Sequence, residues 1–439
     1  MNRRKFLKNL SGTALALAAA QAPGPHSVWA APAQGAAPWI EPALAKSWLE
    51  QWRKNILNDE RSRYCDKELG EEIGWLISPF LNGFYYGWLA TRDSEWMDRL
   101  VDWTDSWVRR GVPEPDGFIG WPKTGAAGTD TDQLNSFLAD SLLGEAMALR
   151  PVTLMAGQIL KDPALKPKYQ ATAERYLKLS EQVFEKWDQR GAWRETANGG
   201  AISIVLPFGM VGAPGPRLMF PRSQEAVLPS GIEGARDGMA GKWSDGYAKR
   251  NDPAAGFSHP DNKANAVALW LLALHDVTAE PTYKTRAEKW FRLMKSRMKT
   301  RDNGPYFVWN YWEPAGPWDY KSDGSPKHWV GVHPNGGYYG IDVEAIVCAR
   351  EHGLVFDQDD MARLIATNRD FMWNKKMEGA AFQRMDGGAA DPRWKDTPGV
   401  LWTALTPYDE TLRKVFLASH KPASWSGLAA TPWFLSLRR

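Results

Sequence analysis

A short polar segment at residues 258–265 contains side-chain types that suit proton transfer and anion binding. It reads Ser-His-Pro-Asp-Asn-Lys-Ala-Asn, so His259, Asp261 and Asn262 lie within four positions of one another. Apolar residues follow at helical spacing, which predicts that Asp261 caps a helix and that His259 precedes its positive end. A histidine exchanges a proton near neutral pH, and an asparagine amide donates hydrogen bonds to an anion. The alternative is an ordinary capping sequence with a surface histidine.

The stretch from 191 to 256 precedes that segment and combines glycine and proline with aromatic and basic residues. Loops longer than about 15 residues are usually functional or disordered, and the aromatic content of this one favours an ordered binding lid. Arg250 and Arg236 are candidates for binding carboxylates, because a planar guanidinium matches a carboxylate. Trp243 adds an apolar face with one N–H donor. We place Arg250 with the catalytic candidates and the other two with the substrate-binding candidates.

A second candidate segment, residues 306–314, follows about fifty residues after His259 and reads Tyr-Phe-Val-Trp-Asn-Tyr-Trp-Glu-Pro. A tyrosine hydroxyl is a good acid or base once a cationic or hydrogen-bonding site lowers a pKa that is normally near 10. Tyr311 is therefore the first candidate for proton transfer, with Tyr306 as an alternative. Trp309 and Trp312 are candidates for substrate contact. The competing interpretation is an aromatic plug in the core.

A third segment, residues 329–340, leads into another predicted helix and contains His333, Tyr338 and Tyr339. The two glycines before Tyr338 permit the close approach of a ligand. We expect His333 to contact substrate or to act as a second base. Tyr338 and Tyr339 are further substrate-binding candidates, and Tyr339 is also an alternative to the tyrosine of the second segment.

Several carboxylates form a separate set of candidates, because paired carboxylates at about 5–10 Å cleave glycosidic bonds by hydrolysis. They are Glu313, Asp342, Glu344, Asp130 and Asp132. Acidic residues in the first turns of a helix also favour the helix dipole, so ordinary capping is the simpler explanation of Asp342 and Glu344. No cluster with metal-ligand spacing occurs, and we expect no metal or other cofactor.

Helical periodicity dominates the elements that must position these residues, and no strand-rich half is evident. About ten to twelve helices are expected in an all-α, mainly helical domain over 41–439, although a C-terminal sheet domain remains an alternative. Short turns join them in pairs, which predicts an α/α toroid, an incomplete barrel of paired helices whose long aromatic loops line one mouth. The predicted helices are 42–63, 73–90, one from 93, 132–148, 151–160, 166–190, 261–277, 281–298, 340–352, 358–373 and 408–418.

The N-terminus predicts export. Residues 2–8 read Asn-Arg-Arg-Lys-Phe-Leu-Lys, followed by a mildly apolar run and a small-residue site near Ala30. This is the pattern of a twin-arginine signal, so we expect residues 1–30 to be removed, 31–40 to be a loose leader, and the protein to be periplasmic or secreted. No other stretch is apolar enough to span a membrane. Cys65 and Cys348 lack metal-site spacing, and their apolar helical surroundings favour buried thiols over a disulfide.

The net charge argues against nucleic acid as a partner, and the tryptophan content favours carbohydrate. The chain has 54 basic and 51 acidic residues, but residues 1–30 contain four basic and no acidic ones, which leaves 50 against 51. A global basic field for nucleic acid is therefore absent. The chain also has 24 tryptophans, many beside Gly, Pro and Asn. Sugar rings have apolar faces with hydroxyl rims, so tryptophan-rich clefts suit carbohydrates.

The order of His259, Asn262 and Tyr311 in a tryptophan-rich helical chain resembles the α/α-toroid polysaccharide lyases that cleave alginate, glucuronan and related uronate polymers. The resemblance covers most of the chain in architecture and is specific over 250–262 and 306–314. It implies an anionic polysaccharide substrate, Asn262 neutralising its carboxylate, and Tyr311 with His259 moving protons in a β-elimination. The adjacent Asn-His pair usual in that family is absent, since His259 and Asn262 are three positions apart.

Three other interpretations compete with this resemblance. One is a toroid glycoside hydrolase that uses the paired carboxylates. Another is a non-catalytic sugar-binding or surface-assembly protein. The third is an epimerase that uses similar proton transfers.

Overall fold

The computed structural model describes residues 39–113, 117–121, 123–124, 138–205, 257–301 and 304–437. The expected signal and the leader up to residue 38 lie outside these ranges, as does most of the long loop before the first polar segment. Five candidate residues therefore also lie outside the described residues. They are Arg236, Trp243, Arg250, Asp130 and Asp132.

The described residues contain eleven α-helices, which confirms the prediction of a mainly helical chain. The helices are α1 Pro42–Asp59, α2 Ser78–Thr91, α3 Glu95–Val108, α4 Leu142–Lys161, α5 Lys166–Gln189, α6 Asp261–Thr278, α7 Pro281–Arg297, α8 Tyr338–Glu351, α9 Gln358–Ala366, α10 Glu410–Ser419 and α11 Gly427–Ser436. π-Helical turns precede α2 and follow α9.

Strands are few and short within the described ranges, and each pairs with one antiparallel neighbour. The pairs are β1 Val112–Pro113 with β2 Ile119–Gly120, β3 Lys123–Thr124 with β4 Leu138–Ala139, β5 Trp193–Thr196 with β6 Gly199–Ile202, and β7 Lys299–Thr300 with β8 Phe307–Val308. The described C-terminal part is helical through α11, so a C-terminal sheet domain is not formed there. β4 also corrects the predicted helix 132–148, because α4 begins only at Leu142.

Proline explains the other two errors in the predicted helices. Pro151 was expected to separate two helices, but α4 runs through it, and α11, which was not predicted, contains Pro432. A proline inside a helix leaves the carbonyl four residues earlier without its N–H partner. The Ser78 hydroxyl donates to the Met147 oxygen at 2.9 Å. The Trp52 indole likewise donates to the Leu428 oxygen at 2.9 Å, so a neighbouring element supplies each missing donor.

Helices α6 and α8 pack side by side in the same direction. At their starts the Asn265 amide donates to the Asp342 carboxylate at 2.7 Å. At their ends His352 contacts the Asp276 carboxylate at 2.8 Å. The two helices therefore begin side by side and end side by side.

Helices α2 and α4 share that direction. Gly144 at the start of α4 packs on the carbonyl of Gly70 just before α2, and Gly157 near the end of α4 packs on Val277 at the end of α6. The side chain of Lys263 at the start of α6 contacts Glu71 at 2.8 Å. All four helices therefore begin at one end of the molecule, which we call the N-terminal face.

The two cysteines confirm the prediction of buried thiols, since both are free and buried. Among the residues that the structure describes, no helix combines the length and apolar character needed to cross a membrane.

A candidate site at the N-terminal face

The first and second predicted segments lie side by side at the start of α6. The Asp261 N–H donates to the Tyr311 oxygen at 2.9 Å, and the Trp312 indole donates to the Ser258 oxygen at 2.8 Å. The Tyr311 N–H in turn donates to the Gly331 oxygen at 2.8 Å, which brings in the third segment. Backbone contacts thus bring all three predicted segments to one place.

Asn262 is the most unusual side chain of this group. It is completely buried, yet neither its amide nitrogen nor its amide oxygen bonds to any described residue. Leaving buried polar atoms without partners costs about 1–3 kcal/mol each, and such groups are rare in native proteins. An amide left open beside the start of a helix is an expected feature of a site whose ligand supplies the missing partners.

His259 is 3% exposed and precedes α6 as expected. Burial and the positive charge of Lys263 lower the pKa of His259 to about 3, so its imidazole is neutral near pH 7. Its Nδ1 atom has no partner among the described residues. A neutral ring with an open nitrogen can accept a proton once a nearby negative charge stabilises the protonated form.

The Asp261 side chain is held by an arginine that lies 36 positions later in the sequence. The Arg297 guanidinium on α7 donates to one Asp261 oxygen at 2.9 Å, while the other oxygen and Arg297 Nη2 have no partner in the described part of the chain. Burial raises the pKa of Asp261 to about 8, against the opposing effect of Arg297 and with a further contribution from Asp342. Because its N–H holds the Tyr311 backbone, this pair fixes the junction between the first two segments.

Asp342 is completely buried and holds two neighbouring side chains in place. Its two oxygens accept hydrogen bonds from Asn265 at 2.7 Å and from the Trp309 indole at 3.0 Å. Burial raises its pKa to about 7, against the effect of those two donors. Trp309 is only 2% exposed. The structure therefore places Trp309 beneath the site, with its N–H already bonded.

Tyr311 is half-buried at the centre of an aromatic cluster. Its ring centroid lies 4.7 Å from that of His333, 5.3 Å from that of Tyr338 and 6.4 Å from that of Trp329. Burial, the nearby Tyr338 and the Glu71 carboxylate raise the pKa of Tyr311 far above its ordinary value. The hydroxyl is therefore protonated in the free protein, and the lowering of its pKa that was expected from the sequence is not found.

His333 and Tyr339 are bonded to each other through the backbone. The His333 N–H donates to the Tyr339 hydroxyl at 2.8 Å, and His333 Nδ1 accepts from the Asn335 N–H at 3.0 Å. Because Nδ1 accepts, the proton of the neutral ring lies on Nε2, and burial lowers the pKa of His333. Tyr339 is 2% exposed, so it supports His333 from below and its ring faces the core.

Trp312 and Trp329 differ in what they offer a ligand. Trp312 stacks on His328 with centroids 4.2 Å apart and planes 7° apart, and its N–H is bonded to the backbone. Trp329 has 51% of its surface exposed, next to the rings of Tyr311 and His333. The open aromatic face is therefore formed by Trp329 and the half-buried Tyr338.

Glu71 and Lys263 also belong to this site, although sequence reasoning did not select them. Lys263 Nζ lies 2.8 Å from Glu71 Oε1, which also accepts from the Trp75 indole at 2.8 Å, and Glu71 Oε2 has no partner among described residues. Glu71 is almost 200 positions from Lys263 in sequence. Lys263 belongs to the first candidate segment, but only the parallel packing of the helices brings Glu71 to it, so no local pattern could reveal Glu71.

The accessible carboxylates from the alternative set are separate and already bonded. Glu313 accepts from the Asn310 amide at 2.9 Å. Glu344 pairs with Arg150 at 2.6 Å on another face of α8.

No group of three or more His, Cys, Asp and Glu side chains within the described ranges is arranged to hold a metal ion. A comparison with protein-family models finds no match for this chain, and a comparison with curated proteins finds no relative.

Proposed function

We propose that this chain is a polysaccharide lyase that cleaves a uronate polymer of the alginate or glucuronan type by β-elimination. The observation that carries the proposal is the open, buried amide of Asn262 next to the aromatic cluster of Tyr311. We also propose that the twin-arginine signal directs the enzyme to the periplasm or the medium.

The helix contacts support an α/α toroid as the scaffold. Helix α11 packs on α2, α2 on α4, α4 on α6, and α6 on α8. Outside this series α3 packs on α2, α5 on α4 and α7 on α6, while α1 packs on α11. We infer an inner ring of parallel helices with an outer layer, as expected from the helix pairs.

The N-terminal face suits a carboxylate. Helix starts concentrate positive partial charge, and α2, α4, α6 and α8 all begin there. The Asn262 amide would donate to the substrate carboxylate next to C5 and make the C5 proton more acidic. Arg250 and Arg236, which lie outside the described residues, stay candidates for neighbouring carboxylates.

Two groups have the right protonation states for the proton transfers. His259 is neutral with an open Nδ1, so it would remove the C5 proton, and the substrate carboxylate would stabilise the resulting imidazolium. The C5–H electrons form the C4=C5 double bond as the C4–O4 bond breaks. Tyr311, protonated in the free protein, would give its proton to the departing O4. Solvent then restores both groups.

The test is incubation with alginate, glucuronan and a glycosaminoglycan while the absorbance of an unsaturated product is followed. Wild type should give a rise on at least one of them. Tyr311→Phe should lower kcat by about 10²- to 10⁴-fold, because general acid–base catalysis contributes that much. His259→Ala should also lower kcat. The absence of any rise with folded wild-type protein would reject the lyase.

Tyr306→Phe is the matched control, since Tyr306 belongs to the same segment but packs on Phe371 at 5.5 Å. It should keep wild-type activity. If Tyr306→Phe abolishes activity and Tyr311→Phe does not, the acid is Tyr306 and the assignment is wrong.

A glycoside hydrolase is the second candidate, and the raised pKa values of Asp261 and Asp342, about 8 and 7, favour it. A hydrolytic acid must be protonated near neutral pH, as these groups would be. Asp342, however, already accepts two hydrogen bonds, and Asp261 accepts one from Arg297. Products with saturated ends would favour this candidate. Binding without turnover, unchanged in Tyr311→Phe, would instead favour a sugar-binding protein.

A further inference from the structure

A cavity of about 540 Å³ lies among α2, α4, α6, α8 and α11 and is completed by residues 400–404. Small-molecule sites usually have volumes of about 300–1,000 Å³. This volume is therefore large enough for a sugar-sized ligand.

Two residues that line the cavity lie close to residues of the candidate site. Ala266, which lines it, lies one helical turn after Asn262 on the same face of α6. Gly337, which also lines it, is the neighbour of Tyr338 in the aromatic cluster. A molecule held at Asn262 and Tyr311 could therefore extend its end into the cavity.

The wall has polar groups that an ordinary apolar core does not need. Arg150 Nη1 and Glu344 Oε1 form an ion pair at 2.6 Å in the wall, in which Arg150 is buried and Glu344 is half-buried. Tyr86 is 4% exposed, and its hydroxyl has no partner among the described residues. A ligand with hydroxyl and carboxylate groups would supply the missing partner and match the pair.

We propose that this cavity receives the terminal sugar of the polymer, so that the enzyme acts from a chain end. The inference rests on the proposed lyase function. Five packed helices and residues 400–404 line the cavity, and its volume suits a single end residue of the polymer. Tyr86 would bond a sugar hydroxyl, and Arg150 with Glu344 would contact the carboxylate and hydroxyls of that residue.

Gly340 allows a direct test, because it lines the cavity and a Cβ added there would meet no atom within 4 Å. Gly340→Leu should extend a side chain into the cavity from a Cβ that meets no atom, and leucine favours a helix more than glycine. We expect the melting temperature to stay the same or rise, while the rate on polymer falls by about 10- to 100-fold, the range for pocket contacts. Gly340→Ala is the matched control and should have a much smaller effect on the rate.

Product sizes provide the second readout. Wild type should release small unsaturated products from the earliest times, with little fall in the viscosity of the polymer solution. A rapid fall in viscosity with products of mixed length, or a Gly340→Leu rate equal to wild type, would overturn chain-end action and leave β-elimination standing. If wild type makes no unsaturated product from any polyuronate, both proposals fail.

Discussion

Among the buried polar clusters of the described residues, two differ sharply in how far their polar atoms are hydrogen-bonded. Between α4 and α5, Lys186 Nζ lies 2.6 Å from both Asp140 and Glu145 and 3.0 Å from the Ile119 oxygen. At the start of α6, by contrast, the Asn262 amide has no partner among the described residues.

The remaining atoms follow the same division. In the α4–α5 cluster the second Glu145 oxygen accepts from the Trp187 indole at 2.7 Å, and Asp140 also accepts from Arg190 at 3.2 Å. In the α6 cluster, one oxygen of Asp261 and Nη2 of Arg297 have no partner among described residues. Saturated clusters fix a fold, whereas open ones await a ligand, so burial alone does not identify a site.

The largest expected effect concerns the saturated cluster. Lys186→Met would remove the cation that pairs with Glu145 and leave Asp140 with Arg190 alone, and breaking a buried ion pair costs about 3–5 kcal/mol. Chemical denaturation should show that loss in the free energy of unfolding, while the activity of the folded fraction stays near wild type. Lys289→Met is the control, because Lys289 pairs with Glu195 at the surface. Its loss should be below about 1 kcal/mol. Equal losses in the two variants would contradict the comparison.

Substitution in the cluster at the start of α6 should have the opposite result, with stability kept and activity lost. Asn262→Leu replaces two unpartnered atoms with an apolar group of similar shape, so the free energy of unfolding should not fall. The rate should fall by about 10²- to 10³-fold, as for the loss of a donor to the developing oxyanion. Absorbance assays and denaturation of the same preparation measure both.

Asn265→Leu is a matched control one turn further along α6. Asn265 is equally buried, but its amide bonds Asp342 at 2.7 Å and accepts from the Trp290 indole at 2.7 Å. Its replacement leaves two buried groups unpaired, each at a cost of about 1–3 kcal/mol. Loss of stability with Asn262→Leu to the same degree would show that the open amide is structural.

The sequence was sufficient for most helices because their apolar spacing is local information. It failed at Pro151, since the donor that replaces the missing N–H comes from Ser78, far away in the chain. Distance in sequence also limited how much of the candidate site could be predicted. His259, Asn262 and Tyr311 were recognised from their residue types and helix-start context. Glu71 joins them only through packing, which no local pattern contains.

The role of the aromatic residues depended on tertiary contacts in the same way. Trp309 and Trp329 both stand in aromatic, loop-like segments, yet one is 2% exposed and the other 51%. The indole of Trp309 points to Asp342, a partner that lies in another helix. Sequence therefore located the aromatic site but did not separate its supporting rings from its open face.

The smallest expected effect concerns the C-terminal end of α8. There His352 and Asp276 form a partly exposed pair, and both ring nitrogens of His352 are hydrogen-bonded. His352 donates through Nδ1 to the Cys348 oxygen at 2.7 Å and through Nε2 to Asp276 at 2.8 Å. Both partners only accept, so the ring is an imidazolium. Burial opposes this charge, but the bond to Asp276 and the nearby Cys348 outweigh it and raise the pKa of His352 to about 11.

Because the folded pKa lies above the ordinary 6.5, the stabilisation is complete below pH 6.5 and is lost as the pH rises through 11. A cation at a helix C-terminus contributes up to about 2 kcal/mol, and the partial exposure of Asp276 reduces that figure. His352→Gln should therefore lower the free energy of unfolding by about 1–2 kcal/mol at pH 6 and by less at pH 10, with unchanged kcat. Denaturation at both pH values measures the difference. If the loss in the free energy of unfolding grew with pH, the neutral ring and not the imidazolium would stabilise the helix end. A fall in kcat would show that this end of α8 also contributes to activity, which contradicts the expected difference between the two ends of the helices.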